Sequence, residues 1–144
     1  QHSKGAILGL TLSTTRGELI KALLEGITFE MRLNLDCLDQ AGVRIEQLRA
    51  IGGGAKSATW LQLKADIFNR PVCSLSVSEA ACLGAAILAG VAVGDYSSVR
   101  EATSQIVRIT RTFEPDAARA SRYEERLGLY RALYPALRDL AHRM

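Results

Sequence analysis

The sequence predicts an α/β layered domain, and three observations predict it. Short apolar segments at residues 5–10, 47–51, 72–77 and 106–110 have strand character, and long stretches with helical spacing lie between them. A run of glycines, Gly52–Gly54, stands where one of those segments gives way to a helical stretch. With 144 residues, 48% apolar and 23% charged, the chain can build one core and has the make-up of a globular protein. No repeat or low-complexity linker divides it, so residues 1–144 read as one domain.

Residues 5–10 (Gly-Ala-Ile-Leu-Gly-Leu) are short and apolar, as a buried strand would be. Thr15-Arg16-Gly17-Glu18 is a capping box that opens a helix near Arg16. Ile20, Leu24, Ile27, Met31, Leu35 and Leu38 give that helix one apolar stripe, and Ala41-Gly42 ends it. Residues 47–51 form a strand that runs into the glycine turn. A second helix spans 57–68 and stops at Asn69-Arg70-Pro71, because the residue before proline avoids the helical region. The alternation over 72–77 marks a third strand, and Ser78 caps a helix over 79–92. Ser98 and Glu101 form a second capping box for a short helix. Residues 106–110 are a fourth strand, and Glu114-Pro115-Asp116 opens a long closing helix, bent or interrupted near Pro135.

Composition excludes several classes. The apolar stretch Ala80–Val93 is broken by Gly84 and Gly90 and falls short of the ~20 residues that cross a bilayer. It reads as a buried helix, with no membrane partner. Gln1-His2-Ser3-Lys4 carries no secretory pattern, and the abrupt opening reads as a piece of a longer chain. Cys37, Cys73 and Cys82 form no CxxC and have no histidine nearby, so they read as small buried hydrophobes in a reducing cytosol. His2 and His142, at opposite ends, form no local metal pair. The net charge of +3 is too small to imply nucleic acid. The arginines at 119, 122, 126, 131, 138 and 143 are interleaved with Glu124, Glu125 and Asp139, the pattern of a solvated helix face.

The segment Gly52-Gly53-Gly54-Ala55-Lys56-Ser57 carries the chemistry. Glycines allow positive φ and close approach of the backbone to a ligand. The helix that follows points free N–H groups and its positive dipole end toward the same place, which favours an anion. Two familiar glycine motifs fail here: a Walker A loop would need glycines at Ala50 and Ala55, and a dinucleotide fingerprint would need one at Ser57. Taken alone, the segment is equally a tight turn with no ligand.

Three blocks in order give it context. Gly5-x-Ile7-x-Gly9-Leu10 followed, after residues 11–17, by Glu18-Leu19-x-x-Ala22-Leu23-Leu24-Glu25 is similar to the C-terminal signature of the FGGY family of carbohydrate kinases. Gly52–Trp60, continuing through Ala65-Asp66-Ile67 to Pro71-Val72, resembles the adenosine segment of the xylulokinase-like members. Glu79–Ala86 with Ala89-Gly90 resembles the small-residue helix that connects the two lobes in their superfamily.

The resemblance implies a ribonuclease H-like, actin-like ATPase fold: a mixed sheet with packed helices, the second lobe of a two-lobed sugar kinase. It implies ATP and Mg²⁺ as cofactors and transfer of the γ-phosphoryl to a sugar hydroxyl, a pentulose such as xylulose first, with glycerol, ribulose or fuculose as alternatives. Gly53, Gly54 and Ala55 would lie against adenosine and the α-phosphate. Lys56 and Ser57 could reach a phosphate, or be a solvated lysine and a simple helix cap. Thr59 falls where some members place a polar residue near adenine, whereas Ala58 departs from members with Asn-Asn. Ala81, Gly84 and Ala85 would give close helix packing or a hinge between lobes. The family's general base, an aspartate in a Gly-Asp-Gln-like segment, and its Asp-x-Gly phosphate loop have no match here, and neither Asp66 nor Asp95 fits the base. The sugar lobe would thus lie outside this chain, and the isolated piece would be inactive. Apolar surface left by a missing lobe could drive association, for example as a homodimer. Two rival classes stand beside the kinase: a non-catalytic actin-like nucleotide-binding domain, and a helical module whose arginine-rich C-terminal helix binds an acidic partner or nucleic acid.

Overall fold

The structure, a computed structural model, describes residues 5–77 and 79–143. Its elements are α1 (Arg16–Gln40), β1 (Leu48–Ala50), a 3-10 turn (Gly53–Lys56), α2 (Ala58–Phe68), β2 (Val72–Leu75), α3 (Ala80–Val93), α4 (Val99–Ile106), β3 (Ile109–Phe113) and α5 (Ala117–Ala141). The three strands form one mixed sheet in the order β1-β2-β3, with β1 parallel to β2 and β3 antiparallel to it.

The capping box at Thr15 forms as the sequence predicts. The Thr15 hydroxyl accepts the Glu18 N–H, and the Glu18 carboxylate accepts the Thr15 N–H at 2.8 Å. Ser57, Ser98 and Asp116 each accept the N–H three residues on and so start α2, α4 and α5. The second box closes differently: the Glu101 carboxylate returns to the Ser97 N–H and hydroxyl rather than to Ser98. Asn69 ends α2 in the left-handed conformation at φ 50°, which asparagine tolerates better than most residues. The predicted caps at Ser78 and the histidine at 2 lie outside the described residues.

The core lies between the sheet and the helices α1, α2 and α5. Phe29, Leu61, Ile67, Phe68, Val72, Phe113 and Leu127 are all buried there. Phe29 meets the Tyr123 ring edge-on at 6.1 Å and the Tyr130 ring at 5.2 Å, which joins α1 to α5.

Several expectations are corrected. Residues 5–10 form no strand: they are exposed, Gly9 has φ +78°, and no described strand pairs with them. Their apolar pattern is real but has no sheet neighbour among the described residues. The stripe read along α1 is buried only in part, at Leu35 and, by half, at Leu24. Ile20, Ile27, Met31 and Leu38 are exposed, and burial falls on Glu25, Thr28, Phe29 and Leu35. The helix is apolar on more than one side, so spacing alone did not select the side that meets α2 and α5. The fourth strand starts three residues later than predicted, at Ile109, because α4 runs on to Ile106. The final helix is not interrupted at Pro135; Arg131, whose carbonyl loses its partner there, is exposed, so water can reach it. Only Cys73 of the three cysteines is buried.

The arginine-rich face of α5 is likewise not simply solvated. Arg126 reaches Glu25, Arg131 reaches Asp36 at 2.5 Å, Arg119 reaches Asp66, and Glu124 receives Arg32 at 3.1 Å. The acids that these arginines meet belong to α1 and α2, not to α5 itself. Asp36 is held by two guanidinium groups, Arg32 at 2.8 Å and Arg131. Burial pushes its carboxyl up, but the hydrogen bonds and charges of Arg32 and Arg131 outweigh this and hold it below the ordinary value of 3.8. A depressed folded-state value stabilises the fold fully above the ordinary value, and the contribution is lost as pH falls through the depressed one. Thermal unfolding followed below about pH 4 should therefore show a steeper loss of Tm in the parent chain than in Asp36→Asn. Parallel curves would show that Asp36 carries none of the acid sensitivity.

Candidate functional site

The chain leaves β1 at Ala50 and turns at Gly52, whose φ of +77° and ψ of −170° strain any L side chain. The Ala55 N–H donates to the Gly52 carbonyl at 3.0 Å and closes the 3-10 turn. Ser57 then caps α2, so the turn delivers the backbone from the end of a parallel strand to a helix N-terminus. Strand end, glycine backbone and helix start thus converge within a few residues.

The three glycines differ in what surrounds them. A Cβ at Gly53 would meet nothing within 4 Å, so the backbone there is open to an incoming group. A Cβ at Gly54 would come within 2.9 Å of Trp60 Cζ3, so the protein's own indole already fills that side. The indole is fixed in turn. Its Nε1–H donates to Thr28 Oγ1 at 3.2 Å, buried Thr28 donates to the Leu24 carbonyl at 2.7 Å, and Lys64 Nζ stands 4.4 Å from the ring centroid. Burial pushes the Lys64 ammonium below its usual value.

Among the other predicted ligands, Ala55 is half-buried and Lys56 and Thr59 are exposed, with no ion pair at Lys56 among the described residues. The Ser57 hydroxyl accepts the Trp60 N–H at 3.3 Å. Ser57, Thr59 and Trp60 line a groove of about 860 Å³ between α1, α2, β3 and α5, whereas Gly53–Lys56 are not on its walls. The structure therefore divides the predicted set between the turn and one end of a groove. Among the described residues, no group of three or more His, Cys, Asp and Glu side chains could hold a metal.

On α3, Ala81 and Ala85 are exposed and Gly84 half-buried, with nothing within 4 Å of a Cβ at Gly84. The close approach falls instead at Gly90, where a Cβ would stand 3.0 Å from the Tyr96 ring. Ile87 and Gly90 are the buried residues of α3.

Asp66 is the residue whose role sequence reasoning missed. It is 2% exposed and accepts the Asp116 N–H at 2.9 Å and the Gln62 amide at 2.9 Å, with Arg119 at 3.5 Å. It ties the last turn of the site helix α2 to the start of α5. The signal was present: a charged residue inside an apolar helix, four after Gln62, demands buried partners.

Comparison with known proteins agrees with this architecture. Residues 1–93 match the C-terminal domain of the FGGY family of carbohydrate kinases. The xylulose kinase of Bacillus subtilis is 34% identical over 137 residues, covering 95% of this chain and 28% of that protein. The glycerol kinase of Koribacter versatilis is 41% identical over 116 residues, covering 80% of this chain and 23% of that protein. Among solved structures, xylulose kinase from Rhodospirillum rubrum superposes with a TM-score of 0.80 at 34% identity, over 94% of this chain and 28% of that one. Plasmodium falciparum glycerol kinase with ADP superposes at 0.70 and 28% identity, over 85% of this chain and 25% of that one. This chain belongs to the FGGY family of carbohydrate kinases and has the fold of their C-terminal domain. It spans under a third of the length of these relatives. No helix among the described residues is long and apolar enough to cross a membrane.

Proposed function

We propose that this chain is the nucleotide-binding second lobe of an ATP-dependent sugar kinase, with Mg²⁺, and that the intact kinase phosphorylates a hydroxyl of a pentulose such as xylulose. The observation that carries this reading is the turn itself. An open glycine backbone at Gly53, preceded by positive φ at Gly52, leads from a strand end to the N-terminus of α2. Backbone N–H groups and a helix dipole there suit a phosphate-bearing ligand. The open, Cβ-free backbone at Gly53 lets adenosine come close, while Gly54, whose Cβ side the Trp60 indole fills, and Ala55 take part through their backbone groups. Lys56 and Thr59 are exposed beside it and can reach a bound nucleotide without breaking any contact.

Bound Mg·ATP would supply the transferable γ-phosphoryl. This chain's own part is to bind, orient and help exclude water, because phosphoryl transfer depends on positioning more than on covalent help from the protein. The open small-residue face of α3, with Ala81, Gly84 and Ala85, is free to meet the other lobe as a hinge. A base is not supplied here: Asp66 is buried and committed to Asp116 and Gln62. The chain alone is therefore inactive. Coupled assays of this chain with ATP, Mg²⁺ and either xylulose or glycerol should give no turnover, whereas the full-length kinase should turn over one of them. Magnesium-dependent turnover by the chain alone would overturn the division of labour, and a full-length protein inert with every sugar and polyol would overturn the kinase reading. Relatives named for both xylulose and glycerol keep the choice of acceptor an experimental matter.

A further inference from the structure

The groove that Ser57 and Thr59 reach at one end continues along the outer face of α2, away from the glycine turn. Its walls carry five cations from three elements: Lys21 of α1, Arg111 of β3, and Arg119, Arg122 and Arg126 of α5. Two carboxylates answer them. Glu25 holds Lys21 at 3.4 Å and Arg126 at 3.6 Å, and Asp66 holds Arg119 at 3.5 Å. Five cations against two carboxylates leave an excess of three positive charges. Arg111 and Arg122 make no ion pair among the described residues. The Arg111 guanidinium instead lies 4.4 Å from the centre of the Phe113 ring, which restrains it beside the groove.

Arg32, Arg70 and Arg131, by contrast, each have a carboxylate partner. Asp36, Asp39 and Glu124 all take arginine partners elsewhere on the same helices. Holding like charges together around a concave surface costs energy unless an anion joins them. The volume, about 860 Å³, suits a small molecule. Guanidinium groups fit phosphate oxygens in pairs, and each phosphate carries about −1.5 to −2 at neutral pH, so a diphosphate balances the surplus where a single carboxylate does not. We propose that the cationic side of this groove, formed by Lys21, Arg111, Arg119, Arg122 and Arg126, binds a small diphosphate-bearing anion, at a site that shares only its Ser57–Thr59 end with the predicted nucleotide residues and does not include the Gly53–Lys56 turn.

Calorimetric titration of the chain with inorganic pyrophosphate at low salt tests this. Arg111→Gln/Arg122→Gln removes the two unpaired charges without breaking an ion pair, and Arg122→Gln alone leaves the Arg111 stacking contact intact. Arg100→Gln, an exposed change on α4, controls for net charge. The expected result is binding to the parent chain and to R100Q, weakened about tenfold or more in the double variant, which corresponds to ~1.4 kcal/mol or more, and by less in R122Q. Absence of binding to the parent chain would overturn the proposal, as would equal weakening in R100Q. Pyrophosphate that Mg·ADP displaces, with the arginine variants unaffected, would assign the anion to the glycine turn instead. An oligoribonucleotide that binds where pyrophosphate does not would replace the small-molecule site with a nucleic-acid surface.

Discussion

Replacing Asp66 with alanine is expected to lower the unfolding free energy by about 3 kcal/mol, the range for a buried charged hydrogen-bond acceptor whose partners are left unmade. The carboxylate accepts the Asp116 N–H and the Gln62 amide and sits against Arg119, with only 2% of its surface exposed. Without it, the backbone N–H just before α5 loses its acceptor and α5 loses its tie to α2. Asp66→Asn keeps one acceptor oxygen and should recover part of the loss. Urea unfolding of the two variants distinguishes a staple from a spectator. A loss well under ~1 kcal/mol for Asp66→Ala would mean that water substitutes for the carboxylate and that α5 docks through Leu127, Tyr123 and its ion pairs alone.

Gly54→Val should cost about 2 kcal/mol, because overpacking a filled site forces a side chain from its place. The first added carbon already falls 2.9 Å from Trp60 Cζ3, and the indole cannot swing aside without giving up its hydrogen bond to Thr28. The same change in a Trp60→Leu background should cost markedly less, since a flexible side chain can yield; additive effects in that cycle would show that the indole is not the obstacle. Gly53→Ala makes the instructive contrast. Nothing lies within 4 Å of its Cβ, so unfolding should barely move while any nucleotide affinity falls.

Much of this architecture was legible in the residues. Local signals with a defined hydrogen-bond partner were the most reliable: Thr15 with Glu18 caps α1 as read, and Ser57 and Asp116 cap α2 and α5 at the helix starts the sequence had placed. The glycine turn was placed correctly because positive φ and a strand-to-helix junction leave few residues to choose from. What failed depended on tertiary neighbours. Residues 5–10 have strand character but find no strand to pair with among the described residues, and α1 carries apolar side chains on several faces, so periodicity could not say which would meet α5. The arginines of α5 looked locally balanced by Glu124, Glu125 and Asp139, and Arg138 does pair with Asp139, but the partners of Arg119, Arg126 and Arg131 proved to be Asp66, Glu25 and Asp36, far away in sequence. At the candidate site the sequence located the turn but could not show that Trp60 closes one glycine and leaves its neighbour open. That distinction depends on a tryptophan rotamer held from α1, a contact across more than thirty residues.

Backbone amide spectra of the isotope-labelled chain, recorded as Mg·ADP is added to millimolar concentration, test the central claim most directly. Shifts that are largest at Gly53, Gly54 and Ala55, and that saturate together, are the predicted result. Spectra in which those amides stay fixed while others move, or in which nothing moves at all, would contradict the assignment of the nucleotide to this turn.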